Sequence, residues 1–412
     1  MLNIISFLLI VVISFIRMKS GYTSNPLMDG GMLLLSAYVF SLIMNRMKLP
    51  LFFGYIAAGI LVGDKGLAFI SDNFTGQMSF IENIVLMIVV STAVQAMIRQ
   101  QSLLYIVKNF FSGVLAAMAA SVITFACIIP LTLPLPAKIA LSLFASVYSP
   151  LIIANMGNGK NSPISSHQTA YGGFVCSIVL WGITTAYFVS EGTGGLKLAF
   201  MPMIIGLSSL VTGFVWAFAA EKIVSIPEKN EHSLFSIAIL LLLYPFIKIF
   251  GLDFLFLAIG IGLSNGLLSE RKLSYLERSH IPVLILFVLF GTKISLEDMY
   301  LFGKTGWISA LVIVVVFVVS RMGPLYAASR LISKKRLHYK ELRAFVAFGP
   351  LSVILLRRFL PGFRNVLGDD MQFHHLYVLC TLLVFLSIVL SLIMELGANF
   401  SRDKKLVQPE GE

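Results

Sequence analysis

Lys138 to Met156, KIALSLFASVYSPLIIANM, and Gln168 to Ser190, QTAYGGFVCSIVLWGITTAYFVS, decide how this chain is read. Both are apolar enough to lie in a bilayer. The first is interrupted by Ser149-Pro150, and the second carries Cys176-Ser177 in its middle. Proline has no N–H to give the helix ladder, so the helix opens there. An opened helix at membrane depth survives only where it is buried in protein or lines a polar cavity. The hairpin is therefore where the working site is expected. It contains no Asp or Glu.

The rest of the chain has the same solvent. Hydrophobic residues make up 58% of the sequence and charged residues 12%. About fourteen stretches are apolar enough to span, or nearly span, a hydrocarbon layer that takes about 20 helical residues. This is the composition of a polytopic membrane protein. The net charge of +11 reads as loop Lys and Arg that hold topology. No basic stretch with interleaved aromatics sits on a soluble module, so nucleic acid is not an expected partner. Cys127, Cys176 and Cys380 fall in apolar segments, without metal-ligand spacing or a loop position for a disulfide. No cofactor or metal is expected.

In order, Leu2–Ile16 reads as a retained helix, with residues 1–30 forming an extra N-terminal helix and loop. Residues 31–399 form the transmembrane domain, and 400–412 a short charged tail on the cytoplasmic side. The expected spans include Gly31–Met44, Leu51–Gly63, Glu82–Ile98, Phe110–Ile129, the hairpin, Met201–Ala220, Leu234–Phe250 and Leu252–Ser269. Ile281–Ile294, Thr305–Ser329, Ala344–Leu360 (which contains Gly349-Pro350) and Phe373–Leu396 complete the set. The basic loop from Arg330 to Arg343 is the strongest topology marker. The Lys and Arg balance puts both termini in the cytoplasm and the protein in the cell (inner or plasma) membrane.

Phe52–Gly66, with Ala58-Gly59-Ile60, is echoed by Phe256–Gly266, with Ile259-Gly260-Ile261. Each opens a run of five spans, and Pro150 and Pro350 break the fourth span of each run. An odd run inverts its successor. Paired broken helices in an inverted repeat point to a transporter's binding site. Chance recurrence of Gly and Pro, common in membrane helices, is the competing explanation.

The segment Lys48-Leu49-Pro50-Leu51-Phe52-Phe53-Gly54-Tyr55-Ile56-Ala57-Ala58-Gly59-Ile60-Leu61-Val62-Gly63 resembles a motif of the monovalent cation:proton antiporter superfamily. The likeness is strongest to its bacterial sodium or potassium/proton exchanger branch. Phe290-Gly291-Thr292-Lys293-Ile294 is similar to a second, weaker motif. The resemblance runs over about Gly31 to Leu396. It implies an all-α polytopic membrane protein with about 13–14 transmembrane helices, inverted five-helix repeats and two crossed, broken helices. It also implies core helices at about 80–190 and 305–397, with scaffold or dimer helices at about 31–63, 201–269 and 281–298. In that family an Asp in the helix after the first break holds the cation or proton, and the matching positions here are Cys176 and Ser177. Gln95 stands where a Glu is common, and Pro350 follows Gly349 where Gly-Glu is common. Arg321 matches a basic residue that the family places facing the acidic site.

Proton-coupled exchange needs a group that carries charge to a cation and titrates when partly buried; a carboxylate does both. A serine hydroxyl ligates sodium weakly and releases no proton near neutrality. A thiolate is too soft for sodium. Glu82, Glu221, Asp253, Asp298 and Glu395 read as lying near helix ends. Arg321 is then the anomalous residue. A guanidinium near the bilayer centre costs about 3 kcal/mol on insertion scales and keeps its proton. Three roles for it stand: a clamp on carbonyls freed at Ser149-Pro150 or Gly349-Pro350, a site for a bound anion, or cation coupling through Ser149, Ser177 and water. Ser149 and Ser177 also have the ordinary option of back-bonding to their own helices. His167, at the mouth of the hairpin, is a surface loop residue or a pH gate.

The expected function is a secondary transporter fold whose degenerate ion site lacks the usual Asp, which speaks against proton-coupled Na+/K+ exchange. A non-transporting scaffold or partner-binding subunit, and an anion or polar-solute carrier using Arg321, are the alternatives. The expected partners are the bilayer, a small ion or anion, and a second copy or other subunits of a membrane complex. No nucleophile–base pair, phosphate loop or metal cluster supports an enzyme.

Overall fold

The computed structural model describes residues 26–63, 79–99, 103–131, 133–149, 164–189, 195–223, 243–267, 281–294, 303–332, 360–363 and 370–407, with Gly66, Ile70, Phe74, Met78, Phe345, Ser352 and Leu367. Among the described residues all regular structure is helical. The helices are α1 (Pro26–Arg46), α2 (Leu51–Val62), α3 (Ser79–Arg99), α4 (Leu103–Ile128), α5 (Leu135–Ala145) and α6 (Ile164–Val189). They continue as α7 (Gly195–Ile223), α8 (Phe254–Leu267), α9 (Ile281–Thr292), α10 (Gly303–Ile332) and α11 (Asp370–Val407), with a 3-10 turn at Leu360–Phe363. Residues 243–250 are also helical. Five stretches, in α1, α4, α7, α10 and α11, are long and apolar enough to cross a membrane, and shorter apolar helices accompany them. Exposed Val122, Leu207, Val315 and Val319 on such helices are what a lipid solvent permits.

The chain divides into two compact units: Met1–Thr75, Asn109–Ile178 and Phe287–Glu412 in the first, Gly76–Lys108 and Val179–Leu286 in the second. This division groups the 31–63 helices with α10 and α11, and α3 with α7 and α8.

In lipid, apolar surface gains little by leaving its solvent, so close backbone approach and hydrogen bonds hold helices together. In the first unit α2 is buried on nearly all sides. It packs on α1 and lays Phe52 against Phe287 of α9, with ring centroids 5.3 Å apart. A Cβ on Gly59 would overlap the Val288 carbonyl, so only glycine permits this approach. Helix α11 packs on α10, and both touch α5. Thr124 of α4 donates a hydrogen bond to Ser320 of α10 at 2.7 Å.

In the second unit α8 contacts α3 and α7. A Cβ on Gly260 would overlap the Leu210 carbonyl of α7. Gly59 and Gly260 thus do the same work in the two echoed segments. The start of α8 is fixed by Asp253. Its Oδ1 accepts from the amides of Leu255 (2.8 Å) and Phe256 (3.2 Å), and its own amide donates to Ser209 Oγ at 2.7 Å.

Several boundaries move from their expected places. α5 starts at Leu135, with Pro134 at its cap and Pro136 in its first turn, where a missing N–H costs nothing. It ends at Ala145, before Ser149-Pro150. α1 begins at Pro26 and α11 runs on to Val407, so helices cross both ends of the expected 31–399 domain. Glu395 closes the apolar stretch of α11 rather than the helix. His167, expected in the turn, belongs to the first turn of α6. Leu2–Ile16, Pro150, Gly349 and Pro350 lie outside the described residues.

Candidate functional site

The site grows out of the end of α5. In an unbroken helix the amide of residue 150 would bond the carbonyl of residue 146, and that of residue 151 the carbonyl of residue 147. Proline removes the first of these amides, and its ring collides with the carbonyl four residues back. It also drives the preceding Ser149 out of the helical region. The helix closes early in response. The amides of Ser146 and Val147 tighten to bonds three residues back, reaching Leu143 (3.1 Å) and Phe144 (3.2 Å), and Ser146 Oγ donates to the Leu143 carbonyl at 2.6 Å. Residues 147–149 then leave the helix. The carbonyls of Ser146 and Val147 are left needing donors.

Both receive one. Ser177 Oγ lies 2.7 Å from the Ser146 carbonyl and 2.7 Å from the Gly173 carbonyl of its own helix, with one proton to share between them. Ser146 Oγ donates to it at 3.1 Å as an alternative to Leu143. The Val147 carbonyl accepts from Arg321 Nη2 at 2.9 Å. Ser177 and Arg321 are both fully buried. A helix C-terminus carries a partial negative charge, so the guanidinium is placed where it gains up to about 2 kcal/mol from the helix dipole. This contact is of the clamp kind at the first break, and the second break lies outside the described residues. The carbonyl Arg321 holds is Val147, two residues before the expected Ser149-Pro150.

Tyr148 completes the arrangement. The Arg321 guanidinium lies 5.1 Å from the centroid of its ring, a cation–π distance. Its hydroxyl donates to the Arg321 backbone carbonyl at 3.3 Å, three residues before Pro324, which lies inside α10. The edge of Phe345 meets the same ring at 5.5 Å and 84°.

The structure thus brings together Ser177, Arg321 and the 146–149 segment. Ser149 is buried, and its Oγ has no hydrogen-bond partner among the described residues. Cys176 is a buried free thiol beside Ser177. Gln95 lies in the second unit on α3, with both amide atoms buried and without a hydrogen-bond partner among the described residues. Among the described residues the buried carboxylates are Asp29, Glu82 and Asp253. Two stand in the first turn of a helix and the third at a cap. Sequence reasoning missed Ser146 and Tyr148. Ser146 was within reach, because it is the residue four before Pro150. Nothing in the residue type marked Tyr148.

Two solved structures share this architecture. The sodium proton antiporter MjNhaP1 from Methanocaldococcus jannaschii, at pH 8, has a TM-score of 0.64 and 17% identity, covering 90% of this chain and 96% of that one. A 3D EM map of the same antiporter gives the same score and identity, covering 94% of this chain and 99% of that one. No family model matches the chain, and no curated protein matches it. The likeness shows the fold: a multi-pass helical membrane architecture similar to that of this antiporter.

Proposed function

We propose that this protein keeps the antiporter fold but does not exchange sodium or potassium for protons. The observation that carries this reading is the use made of Ser177 and Arg321. The resemblance assigns the ion-holding acid to Cys176-Ser177, and the Ser177 hydroxyl is committed to the Ser146 and Gly173 carbonyls. Arg321 donates to the neighbouring carbonyl. The polar groups of the site satisfy the broken helix itself, and none of them titrates near neutrality.

A second reading is a scaffold or partner-binding subunit in the cell membrane with both termini cytoplasmic, and the same closure supports its scaffold part. A break whose freed carbonyls are held by the chain's own side chains is a stable platform, and no enzymatic role is assigned to it. Assembly as a homodimer or within a membrane complex belongs to this reading. An anion or polar-solute carrier using Arg321 is less well supported, because the guanidinium already holds a protein carbonyl and a ring.

The test is flux. Purified protein in liposomes with an internal pH dye, challenged with inward sodium or potassium gradients across about pH 6 to 9, should give the trace of protein-free vesicles. A sodium- or potassium-driven pH change that Ser177→Ala reduces would overturn the proposal. Flux of an anion, lost in Arg321→Gln, would favour the carrier reading instead.

A further inference from the structure

The hydrogen bonds at the break account for the carbonyls that the early helix end frees, but not for its volume. Tyr148 is among the largest fully buried side chains of the protein. Its ring lies so close to Gly173 of α6 that a Cβ there would overlap it. Gly173 is one helical turn before Ser177, and its carbonyl is 2.7 Å from Ser177 Oγ. On its other sides the ring meets the Arg321 guanidinium and the edge of Phe345, and the phenol hydroxyl is fastened to the Arg321 carbonyl. The ring therefore fills the space between the Ser177 face of α6 and the cationic end of Arg321.

We propose that Tyr148 is the built-in occupant of this site, an aromatic side chain standing where a bound ion or small solute would have to sit. The inference rests on the reading of Ser177 as the degenerate acid position, and it adds a second cause to the loss of exchange. The site lacks the carboxylate and is also full. The guanidinium supports the arrangement, because the negative face of an aromatic ring suits a desolvated cation. Gly173 supports it from the other side, since any larger residue would displace the ring.

Restoring charge alone should then fail to restore binding. The probe is the sodium ion, measured by equilibrium radiolabel binding and by thermal unfolding in detergent with sodium chloride or choline chloride at equal ionic strength. Wild type, Ser177→Asp, and Ser177→Asp with Tyr148→Phe should show no saturable sodium binding. Ser177→Asp with Tyr148→Thr should bind about one ion per chain, at least tenfold above the Ser177→Asp level. Binding by Ser177→Asp alone that equals the Tyr148→Thr combination overturns the proposal, as does a folded combination that binds nothing. Proton-coupled sodium binding by the wild type would sink the reading of a degenerate site, a separate result.

The single variant Tyr148→Thr gives an independent readout. Labelling of Cys176 by 2-aminoethyl methanethiosulfonate, mapped by peptide mass with Cys127 and Cys380 as internal references, should accelerate at least tenfold. An unchanged Cys176 rate would contradict the proposal.

Discussion

Asp253 and Ser177 are both buried polar side chains that finish a helix, and they do so with opposite chemistry. Asp253 stands before α8 and accepts from the amides of Leu255 and Phe256. Ser177 faces the end of α5 and donates toward carbonyls. A helix start presents N–H groups and a partial positive charge, whereas a helix end presents C=O groups and a partial negative one. The acid therefore has its donors at Asp253. At Ser177 it would meet carbonyl oxygens, unless a cation came between them. Here the cationic part is taken by Arg321, and the hydroxyl supplies the remaining proton. The fold keeps a buried carboxylate where backbone amides satisfy it and has a donor where carbonyls need one.

Exchanging the chemistry of the two corners tests this contrast. Ser177→Asp puts an uncompensated acid against two carbonyls and should destabilise the protein by about 3–5 kcal/mol, the usual scale for a buried charge without its partner. Thermal unfolding in sodium-free detergent reads it; stability equal to wild type would break the comparison. Arg321→Met takes the donor from the Val147 carbonyl and should cost about 1–3 kcal/mol, seen as a lower unfolding temperature and lower folded yield. Asp253→Ala should cost about 0.5–2 kcal/mol through loss of the α8 cap, while Asp253→Ser should recover most of it. Ser177→Ala should cost about 1 kcal/mol. A larger loss from Ser177→Ala than from Arg321→Met would mean that the hydroxyl, not the guanidinium, carries the break.

Much of this architecture is legible in the residues, and the limits have physical causes. Pro150 announces the opened helix because the missing N–H is a property of the residue itself. The opening starts at Ser146 because the proline ring acts four residues back, a step that spacing alone reveals only when the carbonyls are counted. Gly59 and Gly260 are legible as an echo, and each meets a backbone carbonyl of a neighbouring helix. Arg321 is conspicuous as a cation in an apolar run. Its partners, the Val147 carbonyl and the Tyr148 ring, are not legible, since a backbone carbonyl has no sequence signature and tyrosine is common in membrane helices. Contacts such as those of α8 with α3 and α7 join segments distant in the chain, and no local pattern records them.

Proton counting on sodium addition tests the central claim most directly. Purified protein in weakly buffered detergent at about pH 7, with a pH-indicator dye, is titrated with sodium chloride against a choline chloride control. A site without a titrating acid predicts no sodium-specific proton release above that of an Arg321→Met sample or of empty micelles. Saturable release approaching one proton per chain would show that a titrating group exchanges with sodium, and would contradict the account.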